Sequence, residues 1–143
     1  MDEPGQETLI KLAELLTRAS WRLRRNERRE LAPFGLTFAQ ARVLRMLVAA
    51  DPMRIGDLAN LLEIVPRSAT TMVDGLENAG FVTRRMDPRD RRSILLAPTA
   101  KGQELMARLA EQRRASAEVL FAPLSVAEKS ELLRLLSSLS AES

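Results

Sequence analysis

Apolar side chains recur at steps of three and four along most of this chain, and the pattern changes once, between residues 81 and 97. Leu9, Leu12, Leu16, Ala19 and Leu23 share one face and predict a helix from about Glu7 to Glu30. Leu15 and Trp21 widen that face, and the helix ends in the charged run RRNERRE. So long a stripe on a small domain predicts a second subunit packed against it. Pro33 and Gly35 close the segment. Thr37 with Gln40 three residues on is the T-x-x-Q of a capping box, opening a second helix in which Ala41, Leu44, Leu47 and Val48 keep the period. Asp51-Pro52 stops it.

Met53-Arg54-Ile55 then predicts a short strand that pairs with a later hairpin, and Gly56 to Leu62 a third helix with Ile55, Leu58, Ala59 and Leu62 on one side. Glu63-Ile64-Val65 reads as a tight turn. Pro66 suits the first position of a fourth helix, Pro66 to Ala79, where its missing N–H is not needed. There Ala69, Met72, Val73 and Leu76 face inward, leaving Arg67, Ser68, Thr70, Thr71 and Asp74 outward. Gly75 costs about 1 kcal/mol against Ala in a helix interior, which implies a close approach of something to that backbone. Gly80 ends the helix. The stretch FVTRRMDPRDRRSILLA, residues 81–97, reads as strand Phe81–Met86, tip Asp87–Arg92 and return strand Ser93–Ala97. Thr99 caps a long fifth helix carrying Leu105, Leu109, Val119 and Leu120, and Pro123 breaks it. Ser125-x-x-Glu128 is a second capping box, opening a last helix with Leu132, Leu133, Leu136 and Leu139. No internal repeat or low-complexity segment is visible.

The predicted fold class is therefore mainly α with a small β-hairpin wing. It is a winged helix-turn-helix at 37–98, between an N-terminal helix in 1–36 and C-terminal helices in 99–143, the two flanks forming a dimerisation region. Composition supports a packed helical core: 45% of the 143 residues are hydrophobic but only 3% aromatic, with Leu and Ala dominant. The chain has no Cys and no His. That removes thiol redox sensing, Cys nucleophiles, His bases and nearly all zinc or iron sites, so no metal and no cofactor are expected. No apolar run approaches the ~20 residues needed to span a bilayer. MDEPGQETLI lacks a basic-then-apolar leader, which points to the cytoplasm.

The net charge of +3 is modest, yet Arg is locally dense: five fall between Arg84 and Arg92 against Asp87 and Asp90. A helix followed at once by an arginine-tipped hairpin suits duplex DNA. The start of the fourth helix offers Pro66, Arg67, Ser68, Thr70 and Thr71 to the major groove. Arg67 can hold guanine O6 and N7 in a bidentate pair, and Pro66 can meet a thymine methyl. Arg89, Asp90, Arg91 and Arg92 form the wing, narrow enough for an Arg to enter the minor groove. Asp90 is expected to pair with Arg91 or Arg92. Thr37, Arg54 and Arg84 are candidates for the DNA backbone.

LTFAQARVLRML (36–47), IGDLANLLEIVPRSATTMVDGLENAGFVTR (55–84), DPRDRR (87–92) and LLAPTAKG (95–102) together resemble the MarR family of transcription regulators, in the same element order along nearly the whole chain. The resemblance implies a homodimer with intertwined terminal helices (Leu9, Leu12, Leu16, Leu132, Leu136 and Leu139 at the interface) and a pseudo-palindromic operator, usually repressed. The family's groove helix falls on Pro66–Ala79, its wing arginine on Arg89 or Arg91, and its wing triplet on Asp90-Arg91-Arg92. It also implies release by a small lipophilic or aromatic effector, for which Trp21, Phe34, Phe38, Arg42 and Met46 are the candidate lining, or else simply core. Two positions depart from the family: Arg54 and Val65 stand where Ser or Thr commonly caps the third and fourth helices, which weakens capping there.

An enzyme is disfavoured. Glu14, Glu27 and Glu30, or Asp87 and Asp90, lie in Arg-rich settings that keep them ionised, and no nucleophile–base pair or phosphate loop is present. The other alternative is a winged helix that docks protein without specific DNA readout. It leaves five wing arginines unexplained.

Overall fold

The computed structural model describes residues 4–50 and 52–140. Asp51, expected at the end of the second helix, lies outside them. The order is α1 (Pro4–Leu31), a 3-10 turn (Ala32–Phe34), α2 (Phe38–Ala49), β1 (Met53–Arg54), α3 (Ile55–Leu62), α4 (Pro66–Asn78), β2 (Val82–Asp87), β3 (Asp90–Pro98), α5 (Ala100–Phe121) and α6 (Val126–Ser140). Helix α1 starts three residues earlier and ends one residue later than expected, and its last residue, Leu31, is buried in the core.

Two compact units emerge: residues 27–111, and the helix ends 1–26 with 112–143. Both boundaries fall inside a helix. Within the first unit Leu31, Leu44, Leu47, Leu58, Leu76, Phe81, Leu96 and Leu105 are fully buried together. The expected inward face of α4 holds, with Ala69, Val73 and Leu76 fully buried and Met72 packed at their edge.

Local chemistry sets most element ends. The Thr37 hydroxyl accepts the Gln40 N–H at 3.1 Å, and Gln40 Oε1 accepts the Thr37 N–H at 2.9 Å. Ser125 and Glu128 make the same reciprocal pair at 3.1 and 2.9 Å. Thr99 Oγ1 accepts the Gly102 N–H and opens α5. Arg54 and Val65 give α3 and α4 no side-chain cap. Instead the Asp57 carboxylate, inside α3, accepts the Arg54 N–H. Ile55, expected in the strand, is the first residue of α3. The left-handed turn that ends α3 falls on Glu63, at φ 56°. Gly80, at φ 85°, turns the chain out of α4.

The sheet is three-stranded and antiparallel in the order β1-β3-β2, so the predicted short strand does join the hairpin. Met53 faces Leu96, and Val82 to Met86 face Pro98 to Ile94. The hairpin differs from expectation at its tip. Asp87 pairs with Asp90, leaving only Pro88 and Arg89 in the turn, so Arg91 and Arg92 lie on strand β3. The Asp87 carboxylate accepts the Arg89 N–H and lets a two-residue turn close where alternation alone suggested six.

Two glycines mark close packing. Gly75 lies against Gln40, whose Nε2 donates to the Met72 carbonyl; this is the approach that the sequence implied without naming. Gly102 lies against the Phe81 carbonyl oxygen, itself held by the Thr99 N–H at 2.9 Å. That oxygen cannot retreat. Gly102→Ala is therefore expected to cost about 1–3 kcal/mol in overpacking, outweighing ~1 kcal/mol gained in helix propensity, and to lower the denaturant midpoint.

Candidate nucleic-acid interface

All residues expected at DNA fall in the unit 27–111. Helix α4 buries Ala69, Val73 and Leu76, so the turns of the helix leave Arg67, Thr71, Asp74 and Asn78 exposed on the opposite face at steps of four, three and four. Pro66 and Ser68 are also exposed and Thr70 is half-buried. The Thr70 hydroxyl donates to the Pro66 carbonyl at 3.0 Å and the Thr71 hydroxyl to the Arg67 carbonyl at 3.1 Å. Their hydrogens are thus occupied within the helix.

An acidic residue on the face proposed for DNA needs neutralising. Arg84, on β2, donates to Asp74 at 2.6 Å and to Glu77 at 3.3 Å. The guanidinium expected at the DNA backbone is committed to two carboxylates of α4. Thr37 likewise spends its hydroxyl on the α2 cap.

The wing is anchored from its base. Asp87 is only 6% exposed. Its carboxylate accepts the Arg89 N–H at 2.9 Å and the Arg54 guanidinium at 2.9 Å. Arg54, another expected backbone contact, thereby ties β1 and the start of α3 to the wing turn. Arg54, Arg85, Asp87 and Arg89 also line a cavity of about 560 Å³ at this base. Asp90 does not pair with a neighbouring guanidinium as expected: its carboxylate accepts the Arg92 N–H and the Ser93 hydroxyl, both at 3.1 Å, which fixes the start of β3. Arg89, Arg91 and Arg92 are exposed. Sequence reasoning misses Asp74 and Glu77 as site residues, and sets Asp87 among the wing arginines without its partner Arg54; the spacing of acids near arginines is visible in the sequence, but not the pairing.

The Arg89 N–H, and then Arg54, hold the Asp87 carboxyl below the usual carboxylate range. A depressed carboxyl contributes to folding above its unfolded-state pKa, and that contribution is lost as pH falls through the folded value. Acidification through the carboxylate range is therefore expected to loosen the turn that carries Arg89. Asp87→Asn should reproduce this at neutral pH, read as faster amide exchange at Arg89 while the core amides of α2 and α4 hold.

Of the expected effector residues, Phe34, Phe38 and Met46 pack on the core of the unit 27–111, and Arg42 is exposed. Phe34 meets Phe81 edge to face at 4.9 Å, and the Arg28 guanidinium lies 5.6 Å from the Phe38 ring. Trp21 belongs to the other unit and is exposed. In that unit Leu9, Leu12 and Leu139 are 64%, 59% and 70% exposed, Leu16 is exposed, and Leu132 and Leu136 are half-buried. Ile10, Val119, Val126 and Leu135 are exposed as well. Among the described residues no cluster of His, Cys, Asp or Glu could hold a metal ion, and no helix is long and apolar enough to cross a membrane.

Comparison with known proteins gives a consistent picture. Residues 36–94 match the model of the MarR family. The chain is 30% identical over 131 residues to the HTH-type transcriptional repressor Rv2887 of Mycobacterium tuberculosis, covering 92% of this chain and 94% of that protein. Its fold resembles that of the transcriptional regulator Tm0710 from Thermotoga maritima, with TM-score 0.66, 31% identity and 91% and 92% of the two chains covered. It also resembles a mutant of Escherichia coli MarR complexed with operator DNA, with TM-score 0.70, 24% identity and 96% and 99% covered.

Proposed function

The chain belongs to the MarR family of HTH-type transcriptional regulators, and we propose that it binds a pseudo-palindromic operator as a homodimer and represses transcription from it. It is not an enzyme. The observation that carries the proposal is the arrangement of α4. Its outward face carries Arg67 in the N-terminal turn, the exposed acid further along that face, Asp74, is paired with Arg84, and an arginine wing follows within the same unit. A helix so placed suits the major groove and the wing suits the minor groove. The similarity to a protein solved on operator DNA supports the same reading. The exposed leucines of 4–26 support a homodimer: Leu9, Leu12 and Leu16 share one face of α1 and are all exposed, and an uncovered apolar stripe of this kind marks an interface. Release by a small lipophilic effector completes the proposal, with Phe34, Phe38, Arg42 and Met46 as its contacts within the unit 27–111.

The test is selection of bound sequences from a random duplex pool, followed by binding across a salt series. Arg91→Ala should weaken binding to every duplex and lower the slope of log K against log salt by about 0.9 for each phosphate that is no longer neutralised. Arg67→Ala should relax preference at one position in each half-site, a loss of about 1–3 kcal/mol of discrimination. If no sequence is enriched, the operator reading is wrong and a protein-docking winged helix replaces it. A folded monomer at micromolar concentration in light scattering would overturn the dimer.

A further inference from the structure

We infer that the first two turns of α4 read thymine methyl groups, so that a guanine held by Arg67 is accompanied by A·T pairs. The inference rests on the operator-binding reading above and adds the base identity it would select.

A hydroxyl has one hydrogen to give. Thr70 and Thr71 give theirs to the Pro66 and Arg67 carbonyls, at 3.0 and 3.1 Å. What they present outward is lone pairs and a γ-methyl. Phosphate oxygens, guanine O6 and N7, and thymine O4 are all acceptors, so they find no hydrogen on these side chains. The neighbouring surface is apolar as well. Val65 is 62% exposed, and Pro66 is exposed and has no N–H. The Ser68 N–H is turned back to the Val65 carbonyl at 3.0 Å. Arg67 is thus the one cationic donor here, beside the exposed Ser68 hydroxyl; the rest of the outward surface is methyls, ring carbons and acceptors.

Only one base pair matches such a surface in the major groove. An A·T pair offers the thymine C5-methyl beside the adenine N6 donor, whereas G·C offers a donor at cytosine N4 and no methyl. A threonine with an occupied hydrogen can place its methyl on the first and its lone pair on the second. Thr71 lies one turn from Arg67, about 6 Å along the helix axis. With ~3.4 Å per base step along each strand, the selected A·T pair falls within about two steps of the guanine.

The experiment replaces thymines of the selected operator one at a time by uracil, which removes only the methyl. Thr71→Ser, which also removes only a methyl, is measured on both duplexes. One methyl withdrawn from the interface, at ~0.8 kcal/mol, corresponds to about fourfold in affinity. A loss of that size is expected at one or two thymines beside the Arg67 guanine. Thr71→Ser should lose about the same on the parent operator and nothing further on the uracil duplex at that position. Thr71→Val, which keeps the γ-methyl and replaces the hydroxyl by a second methyl, should stay sensitive to uracil. Unchanged affinity at every uracil position, or an undiminished uracil loss in Thr71→Ser, overturns the inference while leaving operator binding intact. Failure of the pool to enrich any sequence overturns the operator reading, and the inference with it.

Discussion

Phe81→Ala is expected to destabilise the unit 27–111 by about 3–5 kcal/mol, the range for truncating a fully buried aromatic. Phe81 is 0% exposed, at the point where the chain leaves α4 for the wing. Its ring and that of Phe34 meet edge to face with centroids 4.9 Å apart, and the Lys101 ammonium lies 4.7 Å from its centroid. Its N–H donates to the Leu76 carbonyl and its carbonyl accepts the Thr99 N–H, both at 2.9 Å. One residue therefore links α4, the wing and α5. Lys101, which also donates to the Ala79 carbonyl at 2.8 Å, would lose one of its two rings. Domains of this kind are stable by about 5–15 kcal/mol, so the variant should lose much of its margin, read as a denaturant midpoint shifted well below the parent with the slope unchanged. Phe34→Ala, at a half-buried ring, should cost clearly less. Equal losses would mean that Phe81 is not the centre of this packing.

What can be read directly from the sequence is what the chain encodes within a few residues. The capping boxes Thr37–Gln40 and Ser125–Glu128, Pro66 at the head of α4 and the 3-4 spacing of Ala69, Val73 and Leu76 all have local causes, and the structure bears them out. Local patterns fail where a side chain answers a distant partner. Gly75 is explained by Gln40, 35 residues earlier in the chain, which no local pattern reveals. Alternation makes the wing turn too wide because it fades in an Arg-rich run, while a single carboxylate bond from Asp87 closes the turn at Pro88-Arg89. By sequence Arg54 is a weak cap and a free cation; its role as an anchor depends on Asp87, 33 residues on. Charge is the hardest signal. Five arginines in nine residues look alike as DNA-facing cations, yet Arg84 points its charge at α4.

That last contact carries the largest effect expected on DNA binding. Arg84→Ala should weaken operator binding by about 10–100-fold. Asp74 shares the exposed face of α4 with Arg67 and Thr71, and Glu77 lies beside it. With Arg84 in place, at 2.6 and 3.3 Å, its positive charge is shared by both and offsets one of the two negative charges. Without it, two carboxylates stand near the phosphates of a bound duplex. Like charges brought together at an interface cost several kcal/mol when desolvated; here solvent screening reduces this to about 1–3 kcal/mol, the stated range at 1.4 kcal/mol per tenfold. Folding should scarcely change, since exposed ion pairs contribute about 0–1 kcal/mol, and the unfolding midpoint is the control. Asp74→Asn added to Arg84→Ala decides between two roles. If Arg84 masks the helix, the second substitution restores most of the lost affinity. If Arg84 instead grips a phosphate, the double variant stays as weak as the single one and the salt slope drops by about 0.9 in both.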